Sequence, residues 1–184
     1  MILVRKRTFE TYKLQSSTHN FSNFPLTRED AIENILGHLN EWDSVVGTTG
    51  FTSREIFEAR VKHGQGHDND FLTVGSMGHC SSIALGIAIA QPHRQVVCID
   101  GDGALLMHLG SLTSISSLKP ENFHHILLNN EVHESVGGQD TAAKYVDLSA
   151  VVSSIGYTKM FQAKTPKELK ETIIDFIMGS GPAF

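Results

Sequence analysis

Short unbroken apolar runs alternate along the chain with segments whose apolar residues return every three or four positions. Thr27-Arg-Glu-Asp30 reads as a helix start, with Ile32, Ile35, Leu36 and Leu39 marking one face behind it. Ser44–Val46 reads as a short strand, Gly47-Thr-Thr-Gly50 as a turn, and a helix begins near Ser53. A polar loop over Lys62–Asp70 leads to a brief strand at Phe71–Val74 and a turn at Gly75-Ser-Met-Gly78. Cys80–Ala90 is an Ala/Ile-rich helix of the buried kind. Val96–Ile99 is a continuous apolar strand running into Asp100-Gly-Asp-Gly103. Ala104–Leu118 then reads as a helix, and His125–Leu128 as a strand ending in Asn129-Asn130. Helices at Asp147–Ile155 and Thr165–Met178 close the pattern, with a strand near Lys159–Ala163 between them. Thr165-Pro-Lys-Glu168 is a capping box with proline at the first helical position.

Apolar strands alternating with helices imply an α/β fold, a parallel sheet with helices on both faces. A chain of 184 residues is long enough for one such domain and its core. The domain is expected over residues 27–184. Residues 1–26, rich in Ser, Thr, Asn and Phe without steady period, are expected to be a linker or arm. Gly181-Pro-Ala-Phe184 looks like the opening of another strand, which suggests truncation at the carboxyl end and a fragment of a longer chain.

Composition narrows the function. With 40% hydrophobic and 19% charged residues the chain has the makeup of a soluble globular protein. A net charge of −5 gives no support to a nucleic-acid role, which needs a basic face. The start, Met1-Ile-Leu-Val-Arg-Lys-Arg7, is charged too early for a signal peptide, and no apolar stretch is long enough for a membrane span. Two cysteines, Cys80 and Cys98, without ligand-like spacing favour a reducing cytoplasm. His63, His67, His124 and His125 show no zinc spacing and are expected at the surface.

The chemistry concentrates in Gly101-Asp-Gly103, followed after the 25 residues 104–128 by Asn129-Asn130. Each part lies at the carboxyl end of a predicted strand, where open parallel sheets bind ligands. Asp102 and an Asn amide oxygen suit a hard cation such as Mg²⁺, which binds oxygen ligands and phosphate together. The flanking glycines admit a diphosphate to the backbone, and a helix start offers it free amides. Alone, Asp-Gly is an ordinary turn and Asn-Asn an ordinary strand end; the spacing and the strand–helix–strand context favour a site.

This pattern resembles the fingerprint of thiamin-diphosphate enzymes. The resemblance implies Mg²⁺ held by Asp102, Asn130 and the main-chain oxygen of Val132, with Gly101, Gly103 and Ala104 at the diphosphate. Gly75-Ser-Met-Gly78 resembles the segment whose bulky apolar residue bends the cofactor. Met77 would be the wedge, Ser76 its neighbour, and the Gly75 carbonyl an acceptor for the pyrimidine amine; a tight turn with a core Met is the alternative. Thr48–Glu55, Asp70–His79, Gly101–His108 and Asn129–Gly138 further resemble the phosphonopyruvate decarboxylase family, with sulfopyruvate decarboxylase its near relative. Val132 and Asp140 depart from the side chains expected there, without removing a ligand.

The resemblance implies decarboxylation of a 2-oxoacid, phosphonopyruvate giving phosphonoacetaldehyde and CO₂. Arg54 either meets the anionic head of the substrate or is a solvated first-turn residue. His79 and His133 either move protons or line the rim. The resemblance also implies a pyrimidine-binding domain or subunit that supplies an activating glutamate, and a homo-oligomer. Without that partner, turnover is expected to be very low or absent. Other thiamin-diphosphate activities and a non-catalytic binding or scaffold module remain as alternatives.

Overall fold

The computed structural model describes residues 25–184, so the expected arm over residues 1–26 falls almost wholly outside the described residues. In chain order the elements are α1 (Arg28–Leu36), β1 (Ser44–Gly47), α2 (Phe51–Lys62), β2 (Asp70–Leu72), α3 (Cys80–Ala90) and β3 (Val96–Gly101). They continue as α4 (Asp102–Met107), α5 (Ser111–Leu118), β4 (Phe123–Leu128), the short β5 (Val132–His133) and β6 (Gln139–Asp140), α6 (Leu148–Ile155) and α7 (Pro166–Met178).

The main sheet has the order β2-β1-β3-β4, and all its pairings are parallel. Val45, Val97 and Ile99 pack on one face against Ile32, Ile35, Ile56 and Ile173 of α1, α2 and α7. Val46, Val96 and Cys98 pack on the other against Ala84 of α3, Leu112 of α5 and Val152 of α6. With both faces covered, the strands carry unbroken apolar runs, as expected of a doubly covered parallel sheet. Among the described residues no helix is long and apolar enough to cross a membrane.

Capping sets the helix starts. Thr27, Asp147 and Thr165 each accept an amide three residues on, from Asp30, Ala150 and Glu168. Glu168 Oε2 in turn accepts the Thr165 amide at 3.1 Å, completing the capping box.

Three expectations need correction. The helix over Ala104–Leu118 is two helices, because His108 leaves the helical region (φ −132, ψ 41) and the chain turns through Gly110 into α5. Periodicity missed the break because Leu105, Leu109 and Leu112 keep one apolar face through it. The strand near Lys159–Ala163 reduces to a single parallel bridge from Lys159 to Ala183. Ala183 also bridges His124, donating to Phe123 O at 3.2 Å and accepting from the His125 amide at 2.9 Å, so the closing residues lie beside β4. That pairing lengthens β4 at its start and buries His124 and His125, which were expected at the surface.

The connection from β1 to β2 leads to one edge, and β3 returns to the other side of β1. The carboxyl ends of β1 and β3 therefore frame a topological switch point, the crevice where such sheets bind ligands.

Urea unfolding of Thr165→Ala is expected to show a loss of about 1 kcal/mol, the usual worth of an N-cap. Phe123→Ala, at the fully buried start of β4, is expected to lose about 3–5 kcal/mol. Equal losses would mean that the capping box contributes more than a helix end usually does.

Candidate functional site

At the switch point β3 runs into α4 without a loop. Gly101 is the N-cap of α4 and Asp102 its first residue. The Asp102 carboxylate is 3% exposed. Burial pushes its pKa above the ordinary carboxylate value; the Thr141 hydroxyl, the amides of Gly103 and Asp102 and the nearby His133 pull the other way. The Thr141 hydroxyl donates to Asp102 Oδ2. Thr141 is itself fixed by its amide, 2.8 Å from Glu131 O, and by capping the 3-10 turn Ala142–Tyr145. Sequence reasoning missed Thr141; its signal was the capping position just after the Gly137-Gly138 turn.

The Asn129–Asn130 corner follows β4. Asn129 Oδ1 accepts the Glu131 amide and Asn130 Oδ1 the Val132 amide, each at 3.2 Å, while Glu131 adopts φ 63. These bonds fold the corner tightly and leave the second lone pair of Asn130 Oδ1 free to ligate. Asn130 Nδ2 donates to Glu134 Oε2 at 3.3 Å, and the same oxygen accepts from Arg28 Nη1 at 2.5 Å. Arg28 also forms a two-point pair with Glu55 at 2.5 and 2.6 Å. That pairing, then Glu134, raises its already high pKa. Arg28 was not anticipated as a support of the site.

The remaining candidates gather over α4. A Cβ at Gly103 would lie 2.4 Å from His133 Cε1 and 3.3 Å from Met77 Cε, so both side chains reach the first turn of the helix. A Cβ at Gly78 (φ 87) would stand 2.9 Å from Ala104 O, which sets the Gly75–Gly78 turn directly against α4. Ser76 holds a left-handed φ of 56 in that turn. His79 lies at the N-cap of α3 with Nδ1 3.3 Å from Ser76 O, its ring 4.2 Å from that of His108. Gly50 approaches Ser135, and Gly101 approaches Thr48. The loops after β1, before α3, after β3 and after β4 thus meet at one place.

Two candidates stand apart. Gly75 has open space around it, and Arg54 is exposed, its guanidinium 5.8 Å from the Phe51 ring centre.

The family model described as "Thiamine pyrophosphate enzyme, C-terminal TPP binding domain" matches residues 46–184, which include every one of these loops. The chain belongs to that family. Thiamine pyrophosphate, the same molecule as thiamin diphosphate, is therefore its cofactor, and the α/β fold expected from the sequence is the family's. Among named relatives, phosphonopyruvate decarboxylase of Streptomyces viridochromogenes is 38% identical over 156 residues, 85% of this chain and 38% of that protein. Sulfopyruvate decarboxylase subunit beta of Methanothermobacter thermautotrophicus is 41% identical over 132 residues, 72% of this chain and 68% of that subunit. The chain thus spans about two fifths of the phosphonopyruvate decarboxylases that it matches.

The site's donors fit a cation-bound diphosphate. They are hard oxygens beside a helix start whose first residues carry little side-chain bulk, which suits Mg²⁺ and phosphate oxygens better than a soft metal.

An acid whose pKa is raised on folding holds its proton more tightly when folded. Its favourable contribution is full below the unfolded value and is lost as pH rises through the raised folded one. Without cofactor, Asp102→Asn is therefore expected to melt above the parent at pH 7. The gap should close below pH 3.8, the carboxyl's ordinary value. Identical melting curves at both pH values would show that burial places no strain on Asp102.

Proposed function

We propose that the chain is the diphosphate-holding half of a Mg²⁺- and thiamin-diphosphate-dependent 2-oxoacid decarboxylase that acts on phosphonopyruvate. The buried Asp102 at the head of α4, with Met77 and His133 over the same turn, carries this reading. Asp102, Asn130 and the Val132 carbonyl would hold the ion. Gly101, Gly103 and Ala104 would leave the backbone open to the diphosphate, and a side chain at Gly103 would collide with His133. Met77 is the wedge of the proposed site, with Ser76 shaping its turn and the Gly75 carbonyl as an acceptor.

When bound, the cofactor supplies the electron-accepting ring that makes loss of CO₂ from a 2-oxoacid feasible. The chain's part is to orient and exclude. His133, half-buried beside Asp102, holds its ring over the first turn of α4, where it can relay a proton. His79, on the rim, is a second proton carrier. Exposed Arg54 can take up an anionic phosphonate head from solvent.

A pyrimidine-binding domain or subunit would complete the site with an activating glutamate. Glu134 supports that need: its carboxylate is engaged by Arg28 and Asn130, which leaves it poorly placed to serve another ring. The setting is a cytoplasmic homo-oligomer. The second reading is a sulfopyruvate decarboxylase, favoured by the separate beta subunit of which this chain covers 68%. A non-catalytic scaffold is the third, and cofactor-dependent turnover would exclude it.

Thiamin diphosphate with Mg²⁺ is expected to raise the melting temperature, corresponding to about 2.7 kcal/mol at ligand a hundred times Kd. EDTA or Asp102→Ala should abolish the rise. Decarboxylation should be negligible for the chain alone and appear on adding its pyrimidine-binding partner, with the higher kcat/KM for phosphonopyruvate. A higher kcat/KM for sulfopyruvate would establish the second reading. No turnover of either acid, with partner and cofactor bound, would refute the decarboxylase.

A further inference from the structure

Beneath the cofactor-binding strand tips lies a second group of ligating side chains with different chemistry. The parallel register pairs Cys98 of β3 directly with His125 of β4, and Asp100 lies two residues farther along the same face of β3. Cys98, Asp100 and His125 all have zero exposed area. One ligand atom from each lies within 4.8 Å of the other two. Among the described residues neither Asp100 Oδ2 nor His125 Nε2 has a hydrogen-bond partner, although they face each other at 3.6 Å. Buried polar atoms are normally paired, and two orphans aimed into one space point to a missing third body.

We propose that Cys98 Sγ, Asp100 Oδ2 and His125 Nε2 form a buried three-ligand site for a zinc-class divalent cation. Spacing supports it. Tetrahedral zinc with bonds of about 2.0–2.3 Å sets its ligand atoms roughly 3.3–3.8 Å apart. The Nε2–Oδ2 separation is 3.6 Å, and Cys98 Sγ lies within 4.8 Å of both. Orientation agrees too. Asp100 Oδ1 accepts the Gly101 amide at 2.9 Å, and His125 Nδ1 is 3.1 Å from the Tyr157 hydroxyl. Each side chain is thus held by the atom that would not ligate, as outer partners do around metal ligands.

Charge favours occupancy as well. On binding, Cys98 gives its thiol proton to solvent. Thiolate, carboxylate and neutral imidazole then balance a doubly charged ion, whereas a buried carboxylate oxygen facing no cation is costly. Sulfur and imidazole donors select zinc-class ions over Mg²⁺, so this site is separate in kind from the one at Asp102. Complete burial implies that the ion enters during folding and exchanges slowly from the native state.

The test is elemental analysis of the chain purified without chelator, then of chain refolded with Co²⁺ in excess Mg²⁺. Stoichiometric zinc is expected. The cobalt form should show a thiolate charge-transfer band that Cys98→Ser abolishes and Asp102→Asn keeps. Asp102→Asn should meanwhile lose the cofactor-induced rise in melting temperature, which separates the two sites. The proposal is overturned by trace zinc and no band in chain whose melting temperature still rises with cofactor. A band that survives Cys98→Ser overturns it equally.

Discussion

A carboxylate with almost no access to water stands where β3 becomes α4, and the surrounding structure is arranged to keep it there. Desolvation disfavours its charge, and the groups that counter this are local: the Thr141 hydroxyl, two amides at the helix start and the His133 ring. None of these is a full opposing charge at contact distance. The carboxylate is thereby hydrogen-bonded without being neutralised, the state that would suit the cation proposed above.

That arrangement depends on distant parts of the chain arriving together. The sheet order brings the ends of β1 and β3 side by side. Gly103 lacks a side chain where His133 and Met77 arrive, and Gly78 lacks one where the preceding turn meets Ala104 and His108. The 3-10 turn that carries Thr141 is anchored through Glu131 to the same corner that presents Asn130. Backbone turns, more than long side chains, define the cradle, which suits a diphosphate that must come close to main-chain amides.

Much of this was legible in the order of residues. Strand cores such as Val96–Ile99 and caps such as Thr27 and Thr165 follow local rules, and the structure places them within a residue or two. The Asp102 and Asn130 positions could be named because their spacing carries a family signature. What stayed hidden was non-local or too short for a period. The break at His108–Gly110 lay under a continuous apolar face, and β5 and β6 have two residues each. Thr141 acquires meaning only when a turn carries it back to Asp102. Cys98 and His125 are 27 positions apart and become neighbours only through strand register. His125 was expected at the surface, although in a strand, because the segment that covers it arrives only with Ala183 and Phe184 at the far end of the chain.

The Arg28 guanidinium has a consequence for where this domain can be cut. The family match begins at residue 46, yet Arg28 of α1 bridges Glu55 and Glu134, and Glu134 carries the side-chain amide of Asn130. Excision at the matched boundary would strip out the shared cation, leave two carboxylates without it and unlatch the turn that presents Asn130. The smallest autonomous unit therefore includes α1: homology delimits what is recognisable, and an electrostatic clasp delimits what can be removed.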